Sequence, residues 1–254
     1  RNTKNEHPIN PLQFGFKIDD AIAPTLNKLK IYAFDGTNID GHRKSQIINI
    51  KKTNKKYSID KTPTINGAFG LGIFTYDKLN DSNNKNGVYS IKLYIDSIIC
   101  YEFKVDELDF STSRYINAHI DYCEKKESKN KYHRCYRLPH NELANYSHLI
   151  NNGIIAFNDN IIHSIDLLVS DIAGNTSTLS FKVQATNKPV TLIDPLPFDS
   201  TSITFRLSNP NIFKADNMEL YMKANTLYEP LQFNYSTTDL VKGVYGLVHH
   251  VHNN

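Results

Sequence analysis

Tryptophan is absent from this chain of 254 residues, and cysteine occurs only three times. Three thiols cannot all pair within one chain, and Cys100, Cys123 and Cys135 show no CxxC spacing, which excludes a zinc ribbon. No apolar run approaches the roughly 20 residues that cross a bilayer as a helix, and no basic, apolar, small-residue leader opens the chain. An excess of one charge is also missing. The net charge is +3, and the lysines are scattered among Asp, Asn and Glu, which argues for neither nucleic acid nor a membrane surface as partner. No heptad, solenoid period or low-complexity tract appears.

What is present describes a folded β protein. Apolar residues make up 40% and charged residues 22%, so the chain has enough apolar surface to fold, and its length suits one large or two ordinary domains. Tyr and Phe are frequent and must fill the large core volumes that Trp does not. From Thr25 onward the pattern alternates with period two. Tyr89, Ile91, Leu93 and Ile95 share one face of a strand; after a break at Asp96 and Ser97, Ile99, Tyr101, Phe103 and Val105 share one face of the next. This is a hairpin with one buried face. A second hairpin alternates Ile165, Leu167 and Val169, turns at DIAGN (171–175), and resumes with Leu179, Phe181 and Val183. Asp171 reads as a turn residue; as a calcium ligand it lacks company, because DIAGNTS offers few carboxylates and the cation wants six to eight oxygens.

Three stretches are less regular. NGAFGLGIF (66–74) has neither GxGxxG spacing nor a GK[ST] ending, so it reads as a strand whose small face meets another backbone closely, not as a phosphate loop. Residues 106–160 are too long for a plain loop and are expected to form an inserted subdomain or flap. Within them RYINAHIDY reads as a strand or short helix, and Leu143, Tyr146 and Leu149 lie at helical spacing behind Asn141 as N-cap. Cys123 and Cys135 bracket EKKESKNKYHR. A hairpin loop there would permit a disulfide in an oxidising compartment, against the more ordinary outcome of free thiols. NKPVTLIDPLP (187–197) reads as a linker, followed by strand candidates at 203–207, 218–222, 231–235 and 244–251.

The expected architecture is therefore mainly β: an immunoglobulin-like β-sandwich over 23–185 with the insertion at about 106–160, then a second, incomplete β-domain over 186–254. Residues 1–22 read as the exit segment of a domain lying upstream, because a polar, proline-punctuated strip with no initiator Met runs straight into strands.

Candidate chemistry is sparse. His250 and His252 form an HxH pair whose side chains share one strand face, as zinc ligands must, but a third ligand is not fixed by Asp216, Glu219 or Glu229. A polar strand face is the plainer reading. His133, His140, His148 and His163 are dispersed, with neither HExxH nor an ordered HxxxD and HxH set, and GxSxG is absent. Cys100 reads as a small buried or half-buried strand thiol. The carboxylates at Asp19 and Asp20, at Asp106, Glu107 and Asp109, and at Asp121 and Glu124 read as solvated loop groups. No catalytic, cofactor-binding or metal residue is assigned.

PINPLQFGFKIDD (8–20), GVYSI (87–91), SRYINAHIDY (113–122) and VSDIAGNTSTLSFKV (169–183) together resemble the region downstream of the catalytic domain in LytM/lysostaphin-type zinc endopeptidases of Gram-negative cell envelopes. The likeness covers nearly the whole chain. It implies a non-catalytic accessory region of a peptidoglycan-directed endopeptidase, located in the periplasm or on the envelope. Its partners would be an upstream catalytic domain in cis and peptidoglycan or an envelope protein. The zinc, its HxxxD pair and its HxH strand would lie in that upstream domain, ending just before Arg1, and His250 and His252 lack the flanking residues to replace them. The rival readings are a stand-alone module that binds an envelope protein or glycan, and a metal enzyme built on His250 and His252.

Overall fold

The computed structural model describes residues 2–4, 6–14, 19–188, 203–215, 217–238 and 246–251. The chain divides into two compact units, residues 1–137 with 142–195, and residues 196–254 with the short stretch 138–141.

The first unit contains β1 (Thr25–Ala33), β2 (Asn38–Ile39), β3 (Gln46–Asn49), β4 (Lys51–Thr53), β5 (Lys56–Ser58), β6 (Thr64–Asn66) and β7 (Phe69–Tyr76). These are followed by β8 (Ser90–Ile95), β9 (Ile98–Lys104), the helices α1 (Ile116–His119) and α2 (Tyr122–Glu127), β10 (Tyr132–Arg134), β11 (Tyr146–Leu149), β12 (Ile162–Ser170) and β13 (Thr176–Ala185). One sheet has the order β10-β7-β1-β3 and the other β11-β9-β8-β12-β13-β5-β4, with β6 joining β13 to β2. Leu29, Ile31, Leu71 and Ile73 from the first sheet and Leu93, Tyr101, Leu167 and Val183 from the second belong to one buried cluster, so the two inner faces make a sandwich.

Both hairpins form; β12–β13 keeps the faces that alternation implies, whereas in β8–β9 a register shift between Leu93 and Tyr94 turns Cys100 into the core beside Tyr101, against strict alternation. β8 and β9 turn at Asp96 and Ser97, whose φ values of 47° and 70° are those of a two-residue hairpin turn. Ile91, Leu93, Tyr101 and Phe103 are buried. β12 and β13 pair without a slip, and Ile165, Leu167, Val169, Leu179 and Val183 are fully buried. In β1 the apolar spacing is irregular, since Leu26 and Leu29 would face opposite ways on a plain strand. A register shift between Leu26 and Lys28 leaves Asn27 as an extra residue, and both leucines point inward.

The insertion is woven into the sandwich and forms no separate flap: β10 adds to β7 and β11 to β9, so each sheet gains an edge strand from it. RYINAHIDY forms a helical turn and α1. The helix expected behind Asn141 does not form. Tyr146–Leu149 is extended, because Tyr146 pairs opposite Phe103 and its ring packs edge-on against Tyr101 and Phe103. EKKESKNKYHR is no hairpin loop either: Cys123 lies exposed in α2, Cys135 is buried beyond β10, and no disulfide joins any of the three cysteines.

β7 is the strand of NGAFGLGIF, and its glycines make room chiefly for aromatic rings; the expected close backbone approach occurs as well, at Gly67 beside Thr37 and Gly36 and at Gly72 beside the His133 carbonyl. A Cβ on Gly70 would sit 2.6 Å from the ring of Tyr136, and one on Gly72 would sit 2.7 Å from the ring of Tyr32.

Among its described residues the second unit shows three strand pairs: β14 (Ile203–Phe205) with β17 (Leu231–Phe233), β15 (Asn211–Ala215) with β16 (Met218–Met222), and β18 (Tyr235–Thr238) with β19 (Val248–Val251). β15 carried no clear signal in the sequence. Its core is small, with Phe205 and Phe233 stacked at 4.4 Å and Phe213 tilted against Phe233 at 4.9 Å.

Tyr136 is buried and its ring cannot swing aside, so Gly70→Ala is expected to destabilise the protein by about 1–3 kcal/mol in urea denaturation. Gly87→Ala, where a Cβ would meet nothing within 4 Å, is the control and should change stability by less than about 0.5 kcal/mol. Equal effects from the two would contradict the ring contact.

Candidate functional site

Four groups of polar side chains stand out in the first unit. The largest group covers the outer face of the four-stranded sheet. Lys30 of β1, Gly72 of β7 and Arg134 of β10 lie in one row across the strands, and Tyr32 lies one step along. The loop after α1 drops Asp121 onto this row. Lys30 Nζ donates to Asp121 Oδ2 at 2.8 Å and to Glu124 Oε1 at 2.9 Å, and the Tyr32 hydroxyl donates to Asp121 Oδ2 at 2.9 Å. Arg134 lies 3.8 Å from Asp121 Oδ1 and donates to the Ala118 carbonyl at 3.1 Å. Asp121 also caps α2, accepting from the Glu124 amide at 3.2 Å. Burial pushes its carboxyl toward the neutral form, but the Lys30 bond, the Arg134 charge and the cap outweigh that and hold its pKa below the ordinary value. The two acids that read as solvated loop groups therefore share a lysine beneath a helix.

The second group plugs the open edge between the sheets. His119, fully buried at the end of α1, stacks on Phe103 at 3.9 Å and shares a hydrogen bond of 3.0 Å with His133 of β10. Its other nitrogen meets the Tyr146 hydroxyl at 3.3 Å. Burial, reinforced for His119 by the His133 and Arg134 charges, holds His119 well below its ordinary pKa; burial and Lys131 bring His133 down to about 4. Both rings are neutral at pH 7, a state suited to packing. The pair does not fit zinc: its facing nitrogens bond to each other, and a tyrosine hydroxyl stands where a third imidazole or carboxylate would be needed.

The other two groups lie at opposite ends of the sandwich. At one end His163 stacks on Phe157 and bonds Asp96 at 2.6 Å and Asp159 at 3.0 Å. Burial opposes its charge, but the two carboxylates outweigh that and raise its pKa above 6.5. At the other end Asp20, Asp77 and Asp171 converge, with one carboxylate oxygen of each within 4.8 Å of the others. Burial, then the charges of Asp171 and Asp20, push Asp77 up to about 6 against the pull of the Lys78 amide. Asp171 does hold its turn, accepting from the Asn175 amide at 2.8 Å and side chain at 2.7 Å, but the structure also gives it acidic company that DIAGNTS lacks.

Cys100 is buried and donates to the Leu93 carbonyl at 3.4 Å, with burial pushing its thiol up to about 11. His249 and Tyr235 bond at 2.7 Å and His250 meets Thr238 at 3.2 Å, which ties β18 to β19; His252 and Asp216 lie outside the described residues. Glu219 pairs with Lys214 at 3.1 Å. Among the described residues no helix is long and apolar enough to cross a membrane. No protein-family model, curated protein or solved structure matches the chain.

Asp121→Asn keeps the cap and the shape but leaves Lys30 and Arg134 without their shared anion. It is expected to cost about 3–5 kcal/mol in chemical denaturation, and a loss below about 1 kcal/mol would contradict the network. The His163 group is expected to make stability pH-dependent. Its raised pKa gives stability that is fully present below 6.5 and lost as pH rises through the folded value. Asp96 and Asp159, held below 3.8 by the same bonds, contribute above 3.8 and lose that as pH falls through their lowered values. The Tm difference between wild type and His163→Gln should therefore be larger at pH 5.5 than at pH 8.5, and a flat difference would refute the charged pair.

Proposed function

We propose that this chain is an immunoglobulin-like accessory region of a peptidoglycan-directed zinc endopeptidase of the cell envelope, with no catalytic role of its own. It would position the catalytic domain against its polymeric substrate. The observation that supports this reading best is how the motif segments are used. Asn175, in VSDIAGNTSTLSFKV, donates its side chain to the carbonyl of Asp20, in PINPLQFGFKIDD, at 3.0 Å. SRYINAHIDY supplies His119 to the sandwich edge and Asp121 to the outer face. Residues that carry the family likeness thus serve as braces inside a two-sheet scaffold, which is what an accessory domain requires of them. A second reading, a binding module for an envelope protein or glycan, draws support from Leu108 and Phe110, large apolar side chains that the insertion leaves exposed.

The test uses the polypeptide encoded by the whole reading frame. Zinc-dependent release of fragments from intact sacculi should fall about ten- to a hundredfold when this region is deleted, while cleavage of a short soluble peptide is unchanged, since only the polymer benefits from a second point of attachment. Cleavage of either substrate by this chain alone, or equal activity on sacculi with and without it, would overturn the reading.

A further inference from the structure

We propose that Asp20, Asp77 and Asp171 form a binding site for a divalent, oxygen-preferring cation of the calcium class. The three residues come from the approach to β1, the end of β7 and the end of β12, and they meet at one end of the sandwich. Asp77 is 5% exposed and Asp171 3%, while Asp20 is half-buried and opens the group to water.

Two observations point to an ion. Oδ1 of Asp77 is buried and finds no hydrogen-bond donor among the described residues, although a buried carboxylate oxygen ordinarily acquires one. The donors that do serve the cluster are neutral: Asn175 for Asp171, the Ile22 amide for Asp20 and the Lys78 amide for Asp77. No lysine, arginine or histidine among the described residues pairs with any of the three, in contrast to Asp121 with its Lys30 and the Asp96 and Asp159 pair with its His163.

The spacing suits calcium. Ligand oxygens at roughly 2.3–2.6 Å from the ion lie up to about 5 Å apart across it, so oxygens within 4.8 Å of one another can be reached by one ion with little movement. An all-carboxylate set with no imidazole or thiolate favours a hard cation over zinc, and water on the Asp20 side would complete six to eight oxygens. The backbone at the site is already braced. Asp77 exchanges both backbone hydrogen bonds with Asn86, and Asn175 links the β12–β13 turn to the Asp20 carbonyl. A bound ion would therefore staple the segment before β1 to both sheets.

The test is calorimetry and thermal unfolding of the full chain after EDTA treatment, with CaCl2 against NaCl of equal ionic strength. Calcium should bind with one-to-one stoichiometry and raise Tm by about 5–10 °C at a hundredfold excess over Kd. Asp77→Asn should fold at least as well as wild type in EDTA, because it removes one of three like charges, and should lose the calcium shift. Asp20→Asn keeps the carbonyl that receives Asn175 and should weaken binding at least about tenfold; it carries the test if Asp77→Asn does not unfold cooperatively. Absence of binding heat, a shift matched by NaCl, or a shift retained in both variants would overturn the site.

Discussion

A carboxylate removed from water must be met by positive charge and hydrogen-bond donors, and the outer face of the four-stranded sheet is organised around that requirement at Asp121. Lys30, Arg134 and the Tyr32 hydroxyl come from the sheet, while Asp121 and Glu124 come from the insertion. Neither side would be stable buried alone. Because Asp121 also caps α2, one side chain joins the helix, the sheet and the long connection between the hairpins. The glycines of β7 belong to the same arrangement: Tyr32 lies across Gly72 only because no Cβ stands there, and Tyr136 lies across Gly70.

The edges and ends of the sandwich meet related problems with different chemistry. An open edge between two sheets exposes apolar side chains and unpaired backbone. Here α1 closes it with His119, a ring flat enough to stack on Phe103 and polar enough to bond His133 and Tyr146. At one end a buried imidazole balances two acids. At the other, three acids meet with only neutral donors among the described residues, and that imbalance sets the second end apart.

The two units differ in how much they can hold by themselves. The first buries a continuous core between two sheets, whereas the described residues of the second form two-stranded pairs around a few phenylalanines, with Ile212 and Tyr221 more than half exposed. Isolated two-stranded pairs are marginal in water.

Alternation by itself determined the mainly β character, both hairpins and most of the buried face of each, because a strand's side chains alternate unless a bulge intervenes, as it does at Cys100. The turn chemistry at Asp96–Ser97 and Asp171–Asn175 was legible for the same local reason. Spacing misled where a bulge hid the strand: Leu143, Tyr146 and Leu149 suit a helix, yet Tyr146 and Leu149 pair with β9 across a register shift that lets residues three apart face the same way. Charge partners were not legible at all. Asp121 and Glu124 read as a solvated loop pair until Lys30 came beneath them, and Asp171 lacked acidic company until the fold brought Asp20 and Asp77 to it. Secondary structure follows from neighbours along the chain, whereas the environment of a carboxylate depends on which distant segments the packing brings within a few ångströms.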